Sequence, residues 1–392
     1  VAHVGRDNFI KGLRLYFAKH QYGNTTLKDL IDQLEAASGR DLTPWVSTWL
    51  RTAGVNTLSP VIDIDGDTYK SIAIKQLPPT MPVGSKELRP HRLHVGLFDI
   101  SGDKLSRRTS VELDVAGELT QVSALAGEKV ADLVLINDKD QTYAKLRFDE
   151  RSIATMKTHL GYLDDSLARG LIWASLWDSC RDGELSTTDY VTIALNALKS
   201  ESDISIVTAT LMQIDTAVWA YADPAKRDAL RLHVADSVEK LLDASAAGSD
   251  HQMAFARAFA NFAFTPAQFT RIKAILDGAI NGLVIDAEIR WYIFICGVKR
   301  GVFGPAEIEA ESAKDQTAHG KQYTAYAYAA IPSKASKEDA FKSITTDNLS
   351  NTIHSYKCRG FNENIHHEIL ADFVDPYFDA ILKVWETKGY EI

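Results

Sequence analysis

The hydrophobic period of this chain changes twice, and each change forces a different kind of layer. A helical period buries one stripe of a helix and a period of two buries one face of a sheet, so neither pattern continues through the other. From Val1 to about Leu58 the spacing is helical: Val4, Phe9, Leu13 and Phe17 recur every three to five residues. Thr26 with Asp29 three residues on forms a capping pair ahead of the stripe Leu27, Leu30, Ile31 and Leu34, and Thr43-Pro44 is a second helix start. From Ser59 to about Phe148 the period is two. Ile62 and Ile64 alternate with aspartates, Ile72 and Ile74 follow the Asp65-Gly66-Asp67 turn, and Leu93, Val95 and Leu97 precede Val111, Leu113 and Val115. Short alternating strands with Gly/Asp turns predict a small β-sandwich, and Pro78-Pro79-Thr80-Met81-Pro82 predicts a loop.

From about Asp149 to Ile392 the chain reads as helix throughout. Leu160, Leu163, Leu167 and Leu171 form one stripe, and Leu370, Phe373, Tyr377, Ile381 and Trp385 form the last. Helix starts are expected at Asp223-Pro224, Thr265-Pro266, Gly304-Pro305 and Ser336 with Asp339. The expected fold is therefore mixed and mostly α. A short helical segment (1–58) and a small β-sandwich (59–148) precede a HEAT- or armadillo-like superhelical domain (149–392), although no repeat of about 40 residues is visible.

Charge and cysteine usage narrow the function. A net charge of −9 argues against nucleic acid as a partner, since phosphate binding needs a basic face. Cys180, Cys296 and Cys358 are too far apart for a zinc spacing or a disulfide framework, and buried thiols in a reducing cytoplasm are the expectation. No apolar run approaches a membrane span and no signal peptide opens the chain, so no membrane partner is expected.

Motifs that carry chemistry are sparse. H-E-x-x-H is absent, so no metal ligand and no catalytic residue is assigned. His91 and His94 fall on opposite faces of a strand, and His366-His367-Glu368 lacks a second histidine one turn on. Cys180 and Asp178 with His159 would need to be placed together to make a nucleophile, and no G-x-S-x-G occurs. For binding, Arg290-Trp291 is the most suggestive pair. Arg290 either faces a groove and holds a peptide carboxylate or pairs with Asp286 one turn earlier. Arg359 is a weaker candidate of the same kind, and Tyr323, with Tyr326 and Tyr328, either lines a groove or belongs partly to the core.

Several segments resemble a known family. Ala36-Ala37-Ser38-Gly39-Arg40-Asp41-Leu42, leading into Trp45 to Leu58, resembles the closing stretch of the catalytic domain in zinc aminopeptidases of the aminopeptidase N family (gluzincins). Arg89-Pro90-His91-Arg92-Leu93-His94-Val95-Gly96-Leu97 and Leu133-Val134-Leu135-Ile136-Asn137-Asp138-Lys139-Asp140 resemble strands of its sandwich domain. Asp165-Ser166-Leu167-Ala168-Arg169, Trp173-Ala174-Ser175-Leu176-Trp177, Arg181-Asp182-Gly183-Glu184-Leu185-Ser186 and Asp286-Ala287-Glu288-Ile289-Arg290-Trp291 resemble its helical C-terminal domain, like that of endoplasmic-reticulum aminopeptidases.

The resemblance implies a parent of four parts, in which this chain is a C-terminal fragment: the tail of the thermolysin-like zinc domain (1–58), the sandwich and the helical domain. The parent would be a cytoplasmic hydrolase that removes N-terminal residues from peptides. Its zinc, G-x-M-E-N strand and oxyanion-stabilising tyrosine would lie outside this chain, which holds no cofactor itself. The segment is expected to enclose a chamber and to hold the far end of the peptide. The missing catalytic domain would leave an apolar patch around Phe9, Leu13, Tyr16 and Trp49, able to drive artificial dimerisation. The rival reading is a free-standing helical-repeat module that binds peptides or proteins and hydrolyses nothing.

Overall fold

In the computed structural model, which describes residues 1–388, the three zones appear in order; the last four residues of the expected helical zone lie outside that range. The chain divides into two compact units, Val1–Ile206 and Val207–Ile392.

The first unit opens with α1 (Arg6–His20), α2 (Leu27–Ser38) and α3 (Thr43–Leu50). Thr26 and Asp29 behave as their spacing predicts: the Thr26 amide donates to Asp29 Oδ2 at 2.8 Å. Val4, Leu34 and Leu42 form a small core with Phe9, Leu30 and Ile31 against it. Gly12 permits this packing, because a Cβ there would stand 2.7 Å from Leu34 Cδ2. The start at Thr43-Pro44 differs in detail. Thr43 is already the first helical residue, and its amide is capped by Asp41 Oδ1 at 2.9 Å. The expected apolar patch is also composed differently. Phe9 is packed inward and Trp49 is half-buried, its indole donating to the Pro90 carbonyl at 3.0 Å, while Ile10, Phe17, Leu27 and Leu50 are exposed.

The strands are β1 (Thr57–Asp65), β2 (Thr68–Leu77), β3 (His91–Ser101), β4 (Lys104–Val115), β5 (Leu119–Gln121), β6 (Leu133–Ile136) and β7 (Lys145–Leu146). They form two sheets, ordered β5-β2-β1-β7 and β4-β3-β6. Leu58, Ile72 and Ile74 of one sheet share a core with Leu93, Val95, Leu97 and Val134 of the other, which makes the sandwich. One alternation fails: Ile64 is 48% exposed, because a register shift between Asp63 and Ile64 breaks the inward phase of β1.

Arg89, on the loop between β2 and β3, joins the opening helices to this sandwich. Its guanidinium is buried and donates to Thr48 O, Thr52 Oγ1, Ala53 O and Asn56 Oδ1 at 2.7–3.1 Å. Beside it, His91 Nε2 donates to Gln76 Oε1 at 2.8 Å, and Thr142 Oγ1 lies 2.7 Å from Nδ1.

The remaining helices of this unit are α4 (Glu150–His159), α5 (Ser166–Arg181) and α6 (Thr187–Ala197). The expected leucine stripe is split. Asp165 caps α5 through the amides of Leu167 and Ala168, so a new helix starts mid-stripe, and Leu167 is 51% exposed while Leu160 and Leu163 are buried. The same carboxylate accepts from Arg107, which also holds Asp138 in a two-bond clasp.

α7 (Ile204–Thr216) leads into the second unit and runs on into a π-helical turn, Ala217–Tyr221. There follow α8 (Arg227–Ala244), α9 (Asp250–Phe262), α10 (Pro266–Leu276), α11 (Ala287–Val298), α12 (Pro305–Lys314), α13 (Ala318–Ala329), α14 (Lys334–Thr346), α15 (Asn351–Phe361), α16 (His367–Leu370) and α17 (Val374–Thr387). Thr265-Pro266 and Gly304-Pro305 open helices as read from sequence. Asp223-Pro224 instead opens a turn that precedes α8. α14 begins a turn earlier than Ser336, because Ser333 Oγ accepts from the Ser336 amide. The last stripe is broken between α16, a 3-10 turn and α17, with Phe373 buried and Trp385 exposed.

The His91 site makes a pH prediction. Burial, reinforced by the Arg89 guanidinium, pushes the imidazole down to about 4, so the fold holds it neutral. An unfolded chain binds that proton near its ordinary value of about 6.5. Between those values the unfolded state carries more protons, so stability is lost as pH falls through the window, by up to about 3 kcal/mol. Urea midpoints should therefore drop between pH 6.5 and 4.5, and His91→Gln should flatten that slope; an unchanged slope contradicts the assignment.

Candidate functional site

The second unit contains a cavity of about 470 Å³ built from five separated stretches of chain. Asp215 comes from the end of α7, Trp219 from the π-helical turn and Asn261 from α9. Lys299 follows α11, Tyr326 lies on α13, and Cys358 and Arg359 lie on α15, with Asn362, Glu363 and Asn364 just beyond it. A polar chain runs through the wall. Asn261 Nδ2 donates to Asp215 Oδ1 at 2.9 Å, and Lys299 Nζ donates to Asn261 Oδ1 at 3.0 Å and to Glu363 Oε2 at 3.4 Å. The Tyr326 hydroxyl donates to Glu363 Oε1 at 2.7 Å.

The lining sets two cations, Lys299 and Arg359, against two carboxylates, Asp215 and Glu363, with Arg300 and Arg231 packed against the lining residues Asn261 and Trp219. Arg300 is held by the carbonyls of Cys296 and Asn261, and Arg231 is sandwiched between the Trp219 and Phe264 rings at 4.7 and 4.3 Å. Burial, followed by the nearby Arg300 charge, pushes Arg231 down to about 10, still charged at neutral pH. Burial also raises the Asp215 carboxyl, while Asp228 lies 3.6 Å from Arg231 and Glu363 also acts on Arg300. Arg359 rests over the Tyr356 ring at 5.2 Å and, among the described residues, makes no ion pair. An exposed guanidinium with its fork free, at the rim of a polar cavity, is arranged to bind a carboxylate.

The other sequence candidates occupy different settings. Arg290 neither stands free nor pairs with Asp286. Asp286 caps α11, while Arg290 clasps both Glu311 oxygens and donates to Leu276 O at 2.8 Å. Tyr323 stacks on Trp291 with centroids 6.0 Å apart and meets the Tyr356 ring edge-on at 5.4 Å. Trp291, Tyr323 and Tyr356 thus form an aromatic column whose end supports Arg359. Burial pushes the Tyr323 hydroxyl up to about 12. Tyr328 donates to Glu309, away from the cavity residues.

The remaining motifs are structural. His91 lies in the sandwich core, and His94 Nδ1 lies 2.7 Å from Gln141 Oε1. His366 Nε2 donates to the Lys299 carbonyl at 2.6 Å. Cys180 is buried and His159 bonds Thr158, so no nucleophile is assembled from them. Sequence reasoning missed Asp215, Asn261, Lys299 and Glu363. They come from segments up to 148 positions apart (363 less 215), and no local spacing connects them.

The cavity lies wholly in the helical second unit, and no cluster of three metal-type ligands occurs among the described residues. Residues 133–392 match the ERAP1-like C-terminal domain family, and the chain belongs to that family. It is 44% identical over its whole length to Aminopeptidase N of Streptomyces lividans, and spans 47% of that relative. It is 21% identical over 52% of its length to Tricorn protease-interacting factor F2 of Thermoplasma volcanium, covering 23% of that protein. A 73-residue stretch, 19% of this chain, is 36% identical to 7% of Aminopeptidase 2, mitochondrial, of Saccharomyces cerevisiae. The chain therefore spans about half the length, or less, of these relatives.

The Arg290 clasp predicts a stability effect. The Glu311 side chain is only 5% exposed, so Arg290→Ala strands a carboxylate with the exposed Lys314 as its remaining cation. The loss should be about 2 kcal/mol, below the range for fully buried pairs because Arg290 itself is partly solvated. Denaturant unfolding of Arg290→Ala against Arg290→Lys measures it, and an unchanged midpoint would make Arg290 a surface residue.

Proposed function

We propose that this chain is the C-terminal part of a zinc aminopeptidase, and that its helical domain holds the far end of a peptide while the amino end is cleaved elsewhere in the parent. What carries this reading is the match to the ERAP1-like C-terminal domain family, together with 44% identity to an aminopeptidase N along the whole chain. On it, residues 1–58 close the catalytic domain, 59–148 form the intervening sandwich, and 149–392 form a curved, HEAT-like wall around a chamber. Among the described residues no three His, Cys, Asp or Glu side chains cluster as zinc ligands, so the residues here do not fit that ion. No helix among the described residues is long and apolar enough to cross a membrane, which is compatible with a cytoplasmic parent.

Of the three binding candidates, Arg359 takes the substrate role. Among the described residues its fork pairs with no carboxylate, and Tyr323 acts through Tyr356 to position it. Arg290 is committed to Glu311. The peptide's terminal carboxylate would lie against Arg359, with Lys299 and the buried arginines adding longer-range attraction. Contacts so far from the scissile bond help to fix its position.

Fluorescence anisotropy with labelled peptides tests the carboxylate. Amidating the peptide C-terminus should weaken binding by about tenfold or more, as for a lost charge-assisted hydrogen bond. Arg359→Ala should weaken the free acid similarly and abolish the discrimination; equal affinities for acid and amide overturn the assignment. The chain by itself should hydrolyse no aminoacyl amide with or without added zinc, and chelator-sensitive turnover would overturn that.

A further inference from the structure

Cys358 is the one cysteine of the three that lines the cavity; Cys180 and Cys296 are buried elsewhere. It sits one turn after His354 on α15, with Sγ 3.6 Å from His354 Nδ1. The other ring nitrogen, Nε2, lies 3.0 Å from the Ile344 carbonyl. A carbonyl oxygen only accepts, so Nε2 carries the hydrogen and Nδ1 presents its lone pair to the thiol. The imidazole is buried, and a carbonyl from the last turn of α14 holds the ring in this orientation. A thiol facing an oriented base, in a cavity whose rim carries the free Arg359 guanidinium, is a reactive arrangement with a charge preference.

We propose that Cys358 is a modification site, exchanging with a small disulfide whose carboxylates are drawn in by Arg359 and Lys299. The Cys358 proton passes to His354 Nδ1 and the thiolate attacks one sulfur of the incoming disulfide. A bond forms from Cys358 Sγ to that sulfur as the original S–S bond breaks. The departing thiolate takes up the proton and leaves as a thiol. Cys358 is oxidised and one half of the disulfide is reduced, so the exchange needs no further oxidant. Burial raises the thiol above its ordinary value, so the resting form is protonated and the reaction depends on the imidazole. The adduct would fill the cavity at Arg359. The regulatory consequence, loss of peptide grip under oxidising conditions, rests on the carboxylate-binding reading above; the exchange itself does not.

The test compares oxidised glutathione, which bears carboxylates, with cystamine, which is cationic, on the folded chain at low salt, mapping adducts by peptide mass spectrometry. Cys358 should be modified first, with glutathione disulfide at least about threefold faster than cystamine, a preference that added salt removes. Arg359→Ala should erase that preference, and His354→Gln should slow both reagents by about tenfold or more. Equal labelling of Cys180 or Cys296, no preference for the anionic reagent, or an unaffected rate in folded His354→Gln would each overturn the proposal. If His354→Gln fails to fold, the wild-type ratio and the exposed Arg359→Ala variant still decide it. Peptide binding intact with no Cys358 adduct rejects this proposal alone, whereas adduct formation without peptide discrimination rejects the carboxylate reading alone.

Discussion

A buried guanidinium, without a carboxylate partner among the described residues, joins α3 to the sandwich. Taking Arg89 out of water is unfavourable by several kcal/mol unless its donors are satisfied. The chain meets that demand with uncharged acceptors: carbonyls at the end of α3 and just beyond it, a threonine hydroxyl and the Asn56 amide oxygen. The C-terminal end of a helix carries partial negative charge, so α3 offers a fitting pole for the cation. Asn56 is in turn tied to the carbonyls of Leu77 and Glu87, which pins the proline-rich loop from both ends. Trp49 packs against Arg89 and His91 in the same place, and the cation beside His91 helps keep that imidazole neutral.

The second unit repeats this use of backbone carbonyls for buried cations. Lys337 is wholly buried and donates to the carbonyls of Ala329, Gly360 and Phe361, where α13 and α15 end. Arg300 is held by two further carbonyls. Cations satisfied by neutral dipoles keep their net charge, unlike cations in ion pairs. Arg300, bonded to the carbonyl of the lining residue Asn261, places one such charge next to the cavity even though the whole chain carries −9. The local field, rather than the net charge, therefore governs what the cavity takes up.

Much of the architecture was legible because local physics decides it. Thr265-Pro266 and Gly304-Pro305 open helices since a cap and a proline act within one turn, and Leu93, Val95 and Leu97 point inward since pleating alternates without exception along an unbroken strand. Local reading failed where a competing contact won. Asp41 caps α3 in place of Thr43, the shift in β1 turned Ile64 outward, and Asp165 began a helix inside a leucine stripe. Each failure is a single polar group or register step outweighing a hydrophobic pattern.

The sequence alone determined the order of layers and the family likeness, because the hydrophobic period and motif order are properties of the chain. It also singled out Arg290, Tyr323 and Arg359. Only the tertiary structure separated them: Arg290 became a clasp for Glu311, Tyr323 a support, and Arg359 a guanidinium at a cavity with no ion pair among the described residues. It alone brought Asp215, Asn261, Lys299 and Glu363 to that cavity, and set Cys358 against an imidazole whose free nitrogen is chosen by the Ile344 carbonyl. Whether a charge is paired depends on which distant helix packs beside it, and sequence spacing carries no record of that.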